Sequence, residues 1–337
     1  MDTVYNIQGA KHDLEEEQRW VDDEKEYLHA IVNLPSWDTT YGPTYSAEPS
    51  SWRLVKKTGA EKEEVVFTIQ GVIEGKELPP VFEDLKIARN KAFFLHQSLM
   101  LSGLGTTTFE ESLSALTKIW TVFGRQFPEG RLMPWQAGVS AFGGAGTLTL
   151  SNRYFTKKSE AGQMQGVPFP SNVDPKKILT KMLNPSLIHT AENNVQYVIR
   201  HSDLGRNFQY TPADPQHFRI GDIVEVQFSV VVYKMRTDYY VFKPMLYSIA
   251  LLDAKWGNDL ALCRASITPS PAPTQPLKRK IGYAVVTNAT VCAQQGEPMD
   301  GIAEQGGGVE GEAERKRAKT AEDESKVSGG LAQMRLA

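Results

Sequence analysis

Apolar and polar residues alternate most regularly across HFRIGDIVEVQFSVVVYKM, His217 to Met235. Val224, Val226, Phe228, Val230 and Val232 fall on one side of a period-two pattern and Glu225, Gln227 and Ser229 on the other, which predicts a long strand with one apolar face. At Val231 and Tyr233 the second side turns apolar too, so the distal half of that strand is expected to be covered on both faces. The run TDYYVFKPMLYSIALLD then completes a hairpin, read as the spine of an antiparallel sheet. The side bearing Glu225, Gln227 and Ser229 is read as solvated, with the floor of a ligand groove as the alternative.

Other segments repeat the pattern on a smaller scale. NVQYVIRHSDLGRNFQYTP predicts strand, Asp-Leu-Gly turn and strand; WRLVKK and EVVFTIQGVIEG predict a hairpin around the polar TGAEKE loop. Helical spacing predicts a charged helix over Lys11 to Asn33 on Leu14, Val21, Leu28 and Val32. A second helix is expected over Phe82 to Leu101 on Leu85, Ala88, Ala92, Leu95 and Leu99, with His96 in core or boundary packing. A third starts at a capping box of Thr108 and Glu111 and carries the stripe Leu113, Leu116, Trp120 and Phe123. VDPKKILTKML reads as a short helix with Asp174 as N-cap and Pro175 in its first turn.

These elements predict an α+β fold, a mainly antiparallel sheet with helices packed on it, followed by a disordered C-terminal tail. The turn-rich PSWDTTYGPTYSAEPSSW marks the boundaries. Residues 1–51 are an acidic helical leader and linker, 52–293 a globular body ending on the strand KIGYAVVTNATVCA, and 294–337 the tail, polar and Gly-rich.

Composition narrows the function classes. Residues 1–30 hold nine acidic side chains against three basic, while residues 31–300 hold 28 basic against 24 acidic. A mildly basic body beneath an acidic leader permits weak anion binding. Two cysteines, Cys263 and Cys292, form no Cys-x-x-Cys pair and imply a reducing compartment. No apolar run approaches the ~20 residues a membrane helix needs, and no signal peptide is read at the amino terminus.

Catalytic spacings fail one after another. Gly138 and Gly143 match the outer glycines of a phosphate-binding loop, but Gly144 stands where its lysine belongs. Gly138, Val139 and Ser140 begin a nucleophile elbow that Phe142 does not complete. His201 and Asp203 have the His-x-Asp spacing of iron and 2-oxoglutarate oxygenases; a third metal ligand would have to be His217, close behind them. The reading leans away from an enzyme, and no cofactor is implied.

Two binding features remain. Tyr233, Lys234, Arg236, Tyr239, Tyr240 and Lys243 interleave aromatic and basic side chains along one hairpin, as a platform for stacked bases requires. An OB-like barrel would use such a surface, although the intervening helices and the absence of a repeated basic motif argue against that fold. In the tail, Arg315, Lys316, Arg317 and Lys319 match a short basic import signal, and Lys278, Arg279 and Lys280 form a second cluster. Thr268 and Ser270 precede prolines beside that cluster, where phosphate would add negative charge.

FRIGDIVEVQFS, YSIALLD and NVDPKKIL followed by HTAENNVQY resemble segments of uncharacterised proteins that occur in many copies in mushroom-forming fungi. That resemblance implies mobile-element ancestry, supplies no catalytic motif and leaves the acidic leader and basic tail unexplained. The resulting expectation is a nonenzymatic interaction protein of the nucleus, with an import receptor and an unidentified protein as partners and no membrane association. The alternatives are nucleic-acid binding through the hairpin and a metal-dependent oxygenase.

Overall fold

A computed structural model of the chain describes residues 4–20, 25–35, 37–58, 61–82, 89–140, 143–202 and 208–267. All of them fall in one compact unit, Met1–Thr274. The expected last strand, Thr268, Ser270, Asp203 and both tail clusters lie outside the described residues.

In chain order the first part comprises α1 (Ile7–Gln18), β1 (Glu26–Tyr27), α2 (Leu28–Val32), α3 (Trp37–Thr40), β2 (Tyr41–Ala47), β3 (Ser50–Thr58), β4 (Glu61–Glu64), β5 (Phe67–Glu77), β6 (His96–Ser102) and α4 (Thr107–Gly124). There follow β7 (Gly138–Val139), β8 (Gly146–Arg153), β9 (Thr156–Lys157), α5 (Lys158–Ala161), α6 (Ile178–Met182), β10 (Leu187–Ile188), β11 (Gln196–Ser202), β12 (Phe208–Pro212), β13 (Ile223–Lys234), β14 (Tyr240–Asp253) and α7 (Lys255–Ile267). The α+β class with a mainly antiparallel sheet is what the alternation predicted. None of the described helices is long and apolar enough to cross a membrane.

Five strands close on themselves. β5 pairs antiparallel with β13 from Phe67↔Phe228 to Val72↔Ile223, then with β6 from Val72↔Ser102 to Glu77↔Ser98. β6 pairs antiparallel with β8, β8 runs parallel to β14 through Met245↔Ser151, and β14 returns antiparallel to β13. Counted along the chain, the circuit runs first, second, third, fifth, fourth and back to first. A five-stranded Greek-key barrel of this order is an OB-type barrel. β5 bends between its pairing with β13 and its pairing with β6, where the register breaks between Ile73 and Gly75, as a bulge beside glycine allows. At Gly71 space is tight: an added Cβ would stand 3.1 Å from the Phe109 ring and 3.2 Å from the Ser102 carbonyl oxygen, so a neighbour would have to give by a few tenths of an ångström.

The period-two pattern explains the inside. Val224, Val226, Phe228, Val230 and Val232 are fully buried with Phe67, Ile69, Leu99, Leu101, Leu148, Leu150 and Ile249. α4 adds Phe109, Leu113, Leu116, Ile119 and Phe123 to the same core. On the opposite face of β5, Val72 joins Ile223, Leu14 of α1 and Trp256 and Leu260 of α7 in a second cluster. Beyond the barrel, β3 continues the sheet from the distal part of β13 and pairs with β2 and β4, while β11 runs parallel to β14 and carries β12 at the far edge.

Several expectations are corrected. Residues 96–102 form a strand, not the end of a helix over Phe82 to Leu101, and His96 is exposed at its start. Leu95 and Leu99 satisfy helical spacing, Leu99 and Leu101 satisfy strand spacing, and the open edge of β5 decided between them. β3 and β5 are not hairpin partners: β3 turns back on β4, and β13 lies between β3 and β5. Residues 41–47, read as linker, form a strand paired with β3, so the sheet begins ahead of Trp52. The leader's single helix is two, α1 and α2. α4 starts one residue ahead of the expected capping box, with Thr106 as N-cap. Asp174 caps α6 from a distance, accepting from the amides of Leu179 (3.1 Å) and Thr180 (2.8 Å).

Candidate nucleic-acid interface

The outer surface of the β13–β14 hairpin has two halves with different chemistry. In the first half Glu225 and Ser229 are buried, 4% and 1% exposed, and Gln227 is half-buried, which corrects the sequence reading of a solvated face. Glu225 accepts from Lys25 Nζ at 2.6 Å, from Gln70 Nε2 at 3.0 Å and from the Tyr27 hydroxyl at 3.2 Å. Burial alone would lower the Lys25 pKa, but the Glu225 charge outweighs it and holds the lysine pKa above its usual value. Ser229 Oγ donates to the Tyr247 hydroxyl (3.0 Å), which donates to Glu64 Oε1 (3.1 Å). Arg53 spans Glu64 at 2.6 Å and Glu192 at 2.5 Å. Every charge in this half therefore has an opposite charge in contact.

The second half begins two residues further on. Lys243 stands opposite Val231, and Tyr233 opposite Val241, on the side away from the buried Val232 and Phe242. The Arg153 guanidinium, at the end of β8, lies 5.1 Å from the Tyr233 ring centroid and 4.4 Å from that of Phe93. Lys157 Nζ is 4.1 Å from the same Phe93 ring, and cation–π contacts of this kind hold guanidinium and ammonium groups beside flat apolar surfaces. Phe94 packs edge-on against Phe93 with centroids 5.6 Å apart and is itself 70% exposed. Carboxylate is scarce: Glu160 contacts Lys157 and lies 4.0 Å from Arg153. Among the described residues Lys243 forms no ion pair, and desolvation together with the Arg153 charge pushes its pKa down to about 8.

The barrel's topology fixes where this cluster sits. The second and third strands of the circuit, β6 and β8, place His96 beside Arg153 and Ser98 beside Ser151, and Met245 of β14 adjoins Ser151. Phe93 and Phe94 belong to the connection between the first and second strands; residues 235–239 connect the fourth and fifth. OB-type barrels bind oligomeric ligands across the second and third strands and these two connections.

The sequence-predicted hairpin set is divided by its own alternation. Tyr233 and Lys243 join the cluster. Lys234 pairs with Asp238 across the turn at 2.7 Å, and Arg236 is exposed in that turn. Tyr240 stacks on Phe127 with centroids 4.0 Å apart, and Tyr239 lies beneath Arg131 at 5.5 Å. Arg153, Lys157, Phe93 and Phe94 were missed. Their signal was a pair of short aromatic-basic strings, KAFF and NRYFTKK, which mean little until the barrel joins them.

His201 is exposed on β11 with Nε2 2.8 Å from the Thr211 hydroxyl, and His217 is exposed on a separate turn. Among the described residues no three His, Cys, Asp or Glu side chains are grouped to hold a metal. The Gly138 segment pairs with β8, with left-handed Gly143 and Gly144 in the turn between them, and the Ser140 hydroxyl donates to the Glu74 carboxylate at 3.0 Å.

No family model matches the chain, and no curated protein matches it. Four solved chains do. One is gp2.5, a single-stranded DNA binding protein encoded by bacteriophage T7, with 13% identity over 56% of this chain and 91% of that chain at a TM-score of 0.30. The strand circuit described above comes from this chain's own pairings and does not rest on that likeness.

Proposed function

We propose that this protein binds single-stranded nucleic acid across the outer face of β6, β8 and β14. The observation that carries the reading is the gathering of Phe93, Phe94, Arg153, Tyr233 and Lys243 where a barrel of this strand order presents its ligand surface. Phe94 offers an exposed ring for base stacking, which is worth ~1–3 kcal/mol per base. Arg153, Lys157 and Lys243 supply positive charge along the same surface for backbone phosphates. Stacked rings and dispersed cations discriminate little between bases, so sequence tolerance is expected. A flat platform accepts a splayed strand better than a closed duplex.

The test is fluorescence anisotropy of the full chain with labelled oligothymidylate and oligouridylate, against a duplex of equal length, at low and physiological salt. The expected result is tighter single-strand binding that falls linearly in log salt and weakens in Arg153→Gln. Absence of binding at low salt, or an Arg153→Gln variant indistinguishable from the parent, overturns the reading. Nuclear import rests on residues 278–280 and 315–319 and the oxygenase reading on Asp203, all outside the described residues, so neither gains a feature that competes with this surface.

A further inference from the structure

We propose that Lys243 and Arg153 form a seat for one backbone phosphate, and that filling it draws a proton from solvent onto Lys243. The inference deepens the single-strand reading above and rests on it.

Lys243 sits in a row across three strands, Arg53 on β3, Val231 on β13 and Lys243 on β14. Arg53, at one end, is neutralised by Glu64 and Glu192. Lys243, at the other, has no such partner among the described residues. The groups around it are Tyr233 from β13, Arg153 and Ser151 from β8, and Met245 and Tyr247 along β14. Lys157, Glu160 and Phe93 lie beyond Arg153. The one carboxylate in that set, Glu160, contacts Lys157 and reaches Arg153 only at 4.0 Å. Among the described residues, two cations whose charges act on each other beside Tyr233 thus have less than one counter-charge between them.

Packing alone does not call for this arrangement, since an uncharged side chain at 243 would avoid both the desolvation and the repulsion. An oxyanion between the two groups would offset both. A phosphodiester suits the seat because Arg153 offers a planar fork of donors and Lys243 a point charge.

The proton linkage follows from the free-state pKa of about 8. Phosphate stabilises the charged amine and raises its pKa, so at pH 8 complex formation takes up about half a proton. The charged form binds, and its population falls as pH rises. Affinity therefore declines through pH 8, by about tenfold between pH 7 and pH 9 if the bound amine titrates some two units higher.

The experiment is titration calorimetry of the full chain with oligothymidylate at pH 7, 8 and 9, in buffers of different ionisation enthalpy, with an abasic oligomer of equal length as a second probe. Proton uptake at pH 8 and the same pH-dependent loss with both oligomers support the seat. Lys243→Arg should bind at all three pH values without that loss, and Lys243→Gln should bind several-fold more weakly with a salt slope smaller by about 0.7. Circular dichroism of both variants confirms folding. A Lys243→Arg variant that keeps the pH dependence, or a Lys243→Gln variant with parental affinity and salt slope, overturns the seat while leaving the single-strand reading in place. A parent protein that binds neither oligomer overturns both.

Discussion

The two halves of the β13–β14 outer surface are built on the same strands, yet in one Lys25 pairs with Glu225 and Arg53 with Glu64 and Glu192, and in the other Lys243 and Arg153 repel each other beside aromatic rings, of which Phe94 is exposed. Covering segments make the difference. Lys25 and Tyr27 arrive from the leader and Glu192 from the turn before β11, so the first half is sealed by chain brought in from far away. Among the described residues nothing of that kind supplies a carboxylate to Lys243. Buried charge that is matched holds a fold in register, whereas charge left unmatched on a reachable surface invites a ligand.

The sharpest way to break this contrast is to unpair the sealed half. Lys25→Met leaves Glu225 buried with only a hydroxyl and an amide, and is expected to cost about 3–4 kcal/mol in urea unfolding; a loss under about 0.5 kcal/mol would show that the network is not closed.

Asp222 offers the acidic counterpart of Lys243. Burial raises its pKa to about 7, and among the described residues its Oδ1 has no hydrogen-bond partner. The native state keeps a proton that the unfolded chain releases, so stability conferred by the protonated form is full below pH 4 and is lost as pH rises to about 7. The loss should reach about 4 kcal/mol at most, and Asp222→Asn should remove that slope from stability measured between pH 4 and 8.

On the open half, Phe94→Ala should weaken oligothymidylate binding about tenfold while leaving the melting temperature nearly unchanged, since the ring is mostly exposed. An equal loss on the abasic oligomer would move Phe94 from base stacking to a structural role. The smallest effect is the most diagnostic of the contrast. Lys243→Met should raise stability by about 1 kcal/mol at pH 7, the opposite sign to Lys25→Met, because it removes a charge that burial and Arg153 disfavour. That gain should vanish between pH 8 and the ordinary lysine range, where the native amine is already neutral.

The long hairpin was legible because Val224 to Val230 alternate strictly with a period of two and its turn is local. α4 was legible for the equivalent reason at helical period. β6 was not, since its apolar residues fit both periods and only pairing with β5 and β8 selects the strand. Only the hairpin's share of the candidate interface could be read the same way. Tyr233 and Lys243 come from one hairpin, while Phe93 and Arg153 come from stretches 60 residues apart and meet only because β6 and β8 are adjacent.

Side-chain periodicity along the chain settled which residues of each strand face the core, because alternation is a property of the extended backbone and needs no distant partner. It could not settle which strands become neighbours, since β5 finds β13 some 150 residues away. Nor could it tell a watered polar face from a sealed one. Glu225 and Lys243 look alike in sequence, as polar residues on the outer side of a strand. Their fates part because electrostatic free energy depends on what else the fold brings within a few ångströms, a matching charge for Glu225 and a repelling one for Lys243.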